Sequence, residues 1–247
     1  LDQRGELRRI DGPVDPVLEL AALADQESKA AAPLPPSESA QRSDPGAWDR
    51  GGRALLVSDV VGARFPVLIN AYGSYARMES ALGCHMDGHT PGGFDAIGAR
   101  IASLTRPVPP RSLGEAWERG RELLPLLSIG PKLVSRAPCQ DVVLTGDDVD
   151  LTHLPLPRCW PLDGDLAALG YPADVNDLVP GLGHPDISPE AWARRWRGRY
   201  ITFAGIHSIH ARDAGNPRAP SHNIGMYRLQ LLGRNRLAMH WHMHHDG

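Results

Sequence analysis

The last stretch of the sequence, residues 221–247, concentrates side chains that could do chemistry. It holds five of the eleven histidines, which are His222, His240, His242, His244 and His245. Neutral imidazoles are common metal ligands, so a metal site is one interpretation of this run. Alternate residues of a strand face the same way, but three of them in a row rarely converge on one ion. Histidines that line a polar pocket through hydrogen bonds are the other interpretation, and the pattern alone leaves both open.

Two runs in this stretch alternate between apolar and polar residues, which is typical of half-buried strands. They cover residues 226–232 and 237–244, and a Gly-Arg-Asn-Arg turn sequence separates them. A three-residue loop at 233–235 pairs Leu231 with Leu237, whereas a two-residue loop mixes the two faces. We therefore predict an antiparallel hairpin with one apolar face and one face of Arg, Gln and His side chains.

The predicted register brings further side chains together. It sets four pairs side by side: Leu229 with Met239, Tyr227 with Trp241, Arg228 with His240 and Met226 with His242. Asn235 suits the left-handed backbone conformation that such a loop requires. Arg228 lies on the polar face, where its guanidinium could hold a carboxylate through paired charge-assisted hydrogen bonds.

The other motifs give weaker evidence for a functional site. His85 and His89 have the i, i+4 spacing of a ligand pair, but a glycine and a proline beside them favour a loop. The series Asp147, Asp148 and Asp150 resembles part of a calcium loop but lacks its later glycine and glutamate, so a turn that caps a strand is the better interpretation. The sequence contains no dinucleotide-binding glycine motif, phosphate-binding loop or serine nucleophile elbow.

Composition excludes several partners. Lys and Arg number 26 and Asp and Glu 29, so the net charge of −3 favours neither nucleic acid nor an anionic membrane. No apolar run approaches the length of a membrane span, about 20 residues, and we expect no signal stretch. The scattered, odd-numbered cysteines Cys84, Cys139 and Cys159 indicate neither a disulfide framework nor a metal knuckle. We expect a cytoplasmic protein.

The first half of the chain predicts an α/β layer. An Asp-Pro pair at residues 15–16 opens a helix that reaches about Ala31, with Asp15 as its N-cap. Residues 33–52 are rich in Pro, Ser and Gly and indicate an exposed, mobile loop. Strand patterns follow at residues 54–61 and 66–73. Helical patterns then return at Tyr75–Leu82, Phe94–Leu104 and Leu113–Leu127.

The second half of the chain has a different sequence pattern, with short strand candidates instead of long helical ones. Short β-prone runs broken by Asp and Pro begin near residue 139, and residues 200–211 form another strand candidate. Between them, residues 166–199 indicate an irregular insertion with one short helix at 189–197. The predicted fold class is α/β (α+β), with an α/β domain at 1–135 and a β-rich domain at 136–247.

Several motifs, in order, resemble those of the UbiD-type decarboxylases, the 3-polyprenyl-4-hydroxybenzoate carboxy-lyase family. The strongest is the segment from Asn223 to Arg228 (NIGMYR), which resembles the N-x-G-x-Y-R segment of that family. Three upstream stretches resemble it as well: GELRRIDGPVDPVLEL, PVLINAYGS and GDDVDLTHLPLPRCWPLDGD. The resemblance covers nearly the whole chain except residues 33–52 and the insertion at 166–199.

The resemblance implies a cofactor and a reaction. The family uses prenylated FMN, which a flavin prenyltransferase supplies, with a divalent metal (usually Mn²⁺) and K⁺ bridging the cofactor phosphate. It implies reversible, non-oxidative decarboxylation of a small aromatic or α,β-unsaturated acid. The β-rich domain is then a split-barrel flavin-binding domain that is incomplete at its C-terminus.

The resemblance also implies roles for individual residues. Asn223 matches a metal-ligand asparagine, and Arg228 matches the arginine near the reacting carboxylate. Met226 and Tyr227 belong to the same cofactor-contacting segment. The implied flavin contacts on the second strand and its exit are His240, Trp241, His242, His245 and Asp246. His245 is in addition the candidate for a second metal ligand.

The family's later metal-ligand glutamate and its catalytic acid are expected beyond Gly247. We therefore expect the N-terminal portion of a longer enzyme or one of two complementary chains, either as a homo-oligomer or associated with a chain that supplies the remaining domain. Two alternatives stay open: a non-catalytic partner subunit of such a decarboxylase, and a flavin oxidoreductase or flavin carrier. A metallohydrolase is least favoured, because the sequence pairs no carboxylate with the histidines.

Overall fold

The computed structural model describes residues 1–83, 93–105, 111–124, 134–172, 182–216 and 218–244. Contacts divide the chain into two compact units that do not follow chain order. One unit comprises Leu1–Pro35, Asp49–Tyr75 and Leu144–Gly247, and the other comprises Pro36–Trp48 and Ala76–Val143. The division into domains at 1–135 and 136–247 stays a prediction. No described helix is long and apolar enough to cross a bilayer.

A three-stranded sheet forms from the first part of the chain. Its strands, in spatial order, are β1 (Leu7–Val14), β2 (Ala54–Val60) and β3 (Val67–Ile69). β1 runs parallel to β2, and β3 runs antiparallel to β2. The buried side chains of Val14, Leu20, Val57 and Val60 pack together beside this sheet and form an apolar core.

Helix α1 (Glu19–Lys29) begins later than the Asp-Pro pair predicted. The carboxylate of Asp15 accepts a hydrogen bond from the Val17 N–H at 2.8 Å, so it caps a turn instead of the helix. Leu18 has a φ of 70°, which ends any continuous helix at that point. The Leu18 N–H donates to the Arg158 carbonyl at 3.0 Å, so pairing with a distant segment overrides the local start signal.

The segment at 33–52 was predicted to be a loop, but it contains helix α2 (Glu38–Ser43). The Ser37 hydroxyl caps α2 by accepting a hydrogen bond from the Ala40 N–H. The Ser37 N–H and hydroxyl both donate to the carboxylate of Glu79, which is fully buried. A distant carboxylate therefore orders a segment whose composition favours disorder.

The other helices lie where their patterns predicted them. They are α3 (Tyr75–Ala81), α4 (Gly93–Thr105), α5 (Leu113–Leu123) and α6 (Pro189–Arg195). α6 begins after Ser188, whose hydroxyl accepts a hydrogen bond from the Ala191 N–H at 3.2 Å. The first residue of α6 is a proline, which has no N–H group, and an N–H group at that position would have no partner within the helix.

The second sheet is antiparallel and contains the predicted hairpin. Its strands, in spatial order, are β4 (Tyr200–Ser208), β5 (Asn223–Gly233) and β6 (Arg236–Met239). β6 is shorter than the predicted strand at 237–244, and His240 to His244 continue it without strand structure.

The predicted hairpin register is confirmed, but the loop is different. Leu231 pairs with Leu237 and Leu229 with Met239, as the matching of faces required. The tip is nevertheless a two-residue turn, since Gly233 pairs with Arg236, and the register shifts between Leu231 and Gly233. This bulge restores the like-with-like pairing that a plain two-residue loop would destroy. Asn235 is not left-handed, because Leu18 and Asn70 are the described non-glycine residues with positive φ.

A polar network holds the hairpin tip. Asp150 caps a short 3₁₀ turn by accepting the Thr152 N–H at 2.9 Å, so it caps a turn as predicted, although the turn leads into no strand pattern. The adjacent Leu151 N–H donates to the Arg234 carbonyl at 2.7 Å. His184 accepts the Asp186 N–H on Nδ1 at 3.0 Å, and its Nε2 lies 3.5 Å from the Asp150 carboxylate.

Burial alone would raise the pKa of Asp150. The hydrogen bonds from the Thr152 hydroxyl and N–H and the proximity of His153 and His184 outweigh it and hold the pKa below its ordinary value. No group of three or more His, Cys, Asp or Glu side chains that could hold a metal occurs within the described ranges, so Asp150 serves this network as a hydrogen-bond acceptor.

Replacing Asp150 by Asn should lower the free energy of unfolding at pH 7 by about 1–3 kcal/mol, because the charged acceptor of the Thr152 bonds is lost. The folded pKa lies below the unfolded value, so this contribution is present above about pH 4 and is lost as the pH falls through the folded pKa. Urea unfolding of both proteins between pH 7 and pH 3.5, an interval of about 3.5 units that spans the unfolded pKa, measures the difference. Asp147→Asn, at an exposed neighbour, is the control. A difference that stays constant with pH would contradict the assignment.

Candidate functional site

A bulge in β4 lies opposite Arg228. Ile201 pairs with Leu229 and Ala204 pairs with Tyr227, so two residues of β4 face the single residue Arg228 of β5. Such bulges increase local twist and re-aim side chains, and they are frequent beside active sites. β5 itself is regular from Asn223 to Tyr227, where each residue has one partner in β4.

The guanidinium of Arg228 is exposed and lies over an aromatic ring. Its Cζ atom is 5.0 Å from the ring centroid of Tyr200, a distance suited to a cation–π interaction. Within the described residues Arg228 makes no ion pair, so its donors remain available to a ligand. Burial and the charge of Asp163 raise the pKa of Tyr200, while Arg228 lowers it.

Sulfur and carboxylate groups lie near the same arginine. Partial desolvation raises the pKa of the Cys159 thiol, Asp163 adds to this, and Arg228 opposes it. The Asp163 carboxylate accepts the N–H groups of Cys159 and Trp160 at 3.3 and 3.0 Å, which fixes it in the turn that follows Arg158. Asp163 therefore contributes a field around Arg228 without forming an ion pair with it.

The Asn-x-Gly-x-Tyr spacing has a steric cause. Gly225 and Tyr227 lie on the same face of β5, and a Cβ atom at Gly225 would come 2.3 Å from Cε2 of the Tyr227 ring. The ring of Tyr227 is only 8% exposed and lies 5.6 Å from the ring of Trp241, the partner predicted for it. Glycine at 225 thus provides the space in which the tyrosine packs.

The structure brings some predicted site residues together. His240 lies beside Arg228, because its N–H donates to the Arg228 carbonyl at 3.0 Å. Met226 is exposed and two positions from Arg228 on the same face of β5. The rings of His242 and His244 lie 4.9 Å apart. Of the remaining predicted residues, His245 and Asp246 lie outside the described residues, as do His85 and His89.

Asn223 is not brought to Arg228. It pairs with Ser208 at the start of β5, five positions from Arg228, and an odd separation on a regular strand puts two side chains on opposite faces. At about 3.4 Å per residue the two lie about 17 Å apart along the strand. Both residues can contact one ligand only if that ligand is long and reaches across the strand.

Sequence analysis missed several residues on the Arg228 face. Nδ1 of His207 lies 3.0 Å from Nε2 of His222, and both rings are exposed. Phe203, within the bulge, stacks on Tyr72 with ring centroids 5.7 Å apart. The alternation in residues 200–208 could have placed Tyr200 with Arg228, but the bulge that changes the register has no sequence signal of its own.

Two family models match the sequence. Residues 1–90 match a model described as the 3-octaprenyl-4-hydroxybenzoate carboxy-lyase N-terminal domain. Residues 132–170 and 191–247 match the 3-octaprenyl-4-hydroxybenzoate carboxy-lyase Rift-related domain. Together they cover more than half of the chain, and the segment from Asn223 to Arg228 lies within the second match.

Solved structures share this fold. Vanillic acid decarboxylase from Sedimentibacter hydroxybenzoicus in its closed form is similar with a TM-score of 0.56 and 19% identity, over 99% of this chain and 36% of that chain. The UbiD-class enzyme HmfF from Pelotomaculum thermopropionicum in complex with FMN gives 0.51 and 20%, over 99% and 36%. Apo 3,4-dihydroxybenzoic acid decarboxylase from Klebsiella pneumoniae gives 0.54 and 18%, over 98% and 35%. The predicted α/β fold class is confirmed, and the chain spans about a third of the length of these proteins.

Replacing Gly225 by Ala should displace the Tyr227 ring, because the added methyl group overlaps it. We expect a loss of about 1–3 kcal/mol in the free energy of unfolding and an altered Trp241 fluorescence, since the ring contact with Trp241 changes. The matched control is Gly205→Ala on β4, where an added Cβ meets nothing within 4 Å. Equal stability of the two variants would show that Tyr227 does not pack over Gly225.

Proposed function

This chain belongs to the UbiD family of carboxy-lyases, and we propose that it forms one wall of a prenylated-FMN site for reversible, non-oxidative decarboxylation of an aromatic or α,β-unsaturated acid. The observation that carries the proposal is the exposed guanidinium of Arg228, which has no ion pair within the described residues and lies opposite the bulge of β4. The FMN in the similar HmfF structure supports a flavin.

Arg228 would bind the carboxylate that is lost. Its fork of N–H donors matches the two oxygens of a carboxylate, and charge-assisted pairs of this kind fix orientation as well as position. The ring of Tyr200 supports the guanidinium from below, so the donors need not reorganise when substrate arrives. Arg228 thus orients the bond that breaks.

The surface around Arg228 suits a planar cofactor. Tyr200, Phe203 and Met226 occupy the same face and give it apolar and aromatic area beside the cation. When bound, prenylated FMN supplies an acceptor for the electron density that remains on carbon after CO₂ leaves. Arg228 would hold the substrate carboxylate, and Tyr200, Phe203 and Met226 would shield one side of the bound molecules from water.

Metal binding is a second part of the proposal. Asn223 offers an amide oxygen, a ligand that suits Mn²⁺ or K⁺, and its separation from Arg228 along β5 supports a metal role that is distinct from the carboxylate role of Arg228. Further ligands are needed, because no group of three metal-binding side chains occurs within the described ranges. We assign one of them to His245.

The proposed site also requires residues that this chain does not supply. Since the chain spans about a third of the length of the matched structures, the proposed acid and the remaining metal ligand belong to further polypeptide, either of the same protein or of a second chain. Two observations support association: the Arg228 face exposes apolar side chains, and the similar proteins include an evolved dimeric form of HmfF. A flavin prenyltransferase would supply the cofactor.

The complete polypeptide that carries this chain should bind prenylated FMN when it is co-expressed with a flavin prenyltransferase. The absorption spectrum and mass of the released cofactor measure this. Purified protein that contains only ordinary FMN, or none, would contradict the proposal. NADPH oxidation by such a preparation would identify a flavin oxidoreductase instead.

Replacing Arg228 by Met in that polypeptide should reduce kcat/KM for CO₂ release by about a hundredfold or more, since two charged hydrogen bonds to the carboxylate are lost. The bound cofactor should be retained. Arg236→Met, at an exposed position on the hairpin tip, is the matched control and should keep full activity. An Arg228→Met protein with unchanged kcat/KM would remove Arg228 from the site.

A further inference from the structure

Four arginines from two segments of the chain lie near one another, away from the residues proposed above. They are Arg158, Arg195, Arg197 and Arg199. Nη1 of Arg195 lies 2.9 Å from the Asp15 carboxylate, and Nη2 of Arg197 lies 2.8 Å from that of Asp165. Nη1 of Arg158 donates to the carbonyls of Ala193 and Arg197 at 3.3 and 3.4 Å. We call these four residues the arginine cluster.

Arg199 is the member without a partner. Only 3% of its surface is exposed, yet among the described residues its guanidinium pairs with no carboxylate and donates no hydrogen bond. Its Cζ atom lies 5.9 Å from the centroid of the Trp196 ring. Burial is the main cause that lowers the pKa of Arg199 to about 10, with the charges of Arg195 and Arg158 adding to it and that of Asp15 opposing it, so the side chain remains charged at neutral pH.

The cluster holds unused donors as well as unused charge. The Nε–H groups of Arg158, Arg197 and Arg199 are buried and have no acceptor. A buried donor without an acceptor costs about 1–3 kcal/mol, and a buried charge without a counterion costs more. Such an arrangement is stable when an anion supplies the missing acceptors.

The backbone around the cluster is firmly held. Gly198 has a φ of 70°, and a Cβ atom there would lie 2.0 Å from the Asp163 carbonyl oxygen, so the turn before Arg199 packs directly on the turn after Arg158. The Arg199 carbonyl accepts the Leu231 N–H at 2.8 Å, and the Arg158 N–H donates to the Pro16 carbonyl at 2.9 Å. The guanidinium groups are therefore presented by anchored residues.

We propose that the arginine cluster is a binding site for an oxyanion, a phosphate or carboxylate group that pairs with Arg199 and accepts the unused Nε–H donors. The planar guanidinium groups favour a ligand with several oxygens, and the residues differ from those around Arg228. Binding adds a counterion to a charge that is already buried, so it stabilises the fold by an amount that grows with the logarithm of ligand concentration once that concentration exceeds Kd.

Thermal unfolding of the complete polypeptide in increasing inorganic phosphate, with chloride adjusted to constant ionic strength, tests the site. The Tm of the wild-type protein should rise with phosphate, and above Kd it should rise with the logarithm of the phosphate concentration. Arg199→Met should lose this rise, and its Tm without phosphate should be no lower than that of the wild type, because an apolar side chain replaces an unpaired buried charge. Arg194→Met is the matched control, since Arg194 is exposed on the same helix α6, and it should keep the full response.

The titration of the wild-type protein needs no variant, so it decides the question even if Arg199→Met does not fold. A Tm that follows only ionic strength would overturn the proposal, and so would a full phosphate response in a folded Arg199→Met protein. Parallel titrations with acetate distinguish a carboxylate from a phosphate. Binding of FMN and of riboflavin distinguishes a free anion from the phosphate of a flavin. If the site holds a flavin phosphate, Arg199→Met should bind FMN at least tenfold more weakly than the wild type does, while its affinity for riboflavin is unchanged.

Discussion

The pairing of β4 with β5 is the constraint on which the proposed site depends. It is continuous on both sides of Arg228, and the one extra residue lies in β4 rather than in β5. The strand that carries Arg228 therefore keeps its alternation, while its neighbour twists to bring Tyr200 under the guanidinium. An arginine on an unsupported loop would lose side-chain entropy on binding; one held over a ring has already lost much of it.

Arg228 and Arg199 both lack a counterion within the described residues, but their environments differ. Arg228 keeps its charge in contact with water, so the absence of a counterion costs little. Arg199 has nearly lost contact with water, and its charge is tolerated because Trp196 and the carboxylate field of Asp15 partly replace the solvent. Binding at Arg228 therefore mainly orients the ligand, whereas binding at Arg199 mainly offsets the cost of a buried, unpaired charge.

The hairpin could be predicted because apolar side chains had to meet apolar side chains, a local rule that fixes register. The two-residue tip could not, since a bulge between Leu231 and Gly233 achieves the same pairing. The start of α1 was wrong because Leu18 is held by Arg158, a residue far away in the chain. β1 gave no alternation, and it exists because β2 provides a parallel partner. For the same reason, the sequence predicted only a short helix at 189–197 within an irregular insertion and no cluster of arginines there, because the partners of these residues lie elsewhere in the chain.

The shortness of β6 has a consequence for assembly. It pairs with the end of β5 near the tip and stops at Met239, so β5 between Asn223 and Tyr227 has a strand neighbour on the β4 side alone within the described residues. The backbone amides and carbonyls of that outer edge form a template on which another extended segment could continue the sheet. An extended segment added there would need no rearrangement of the existing strands.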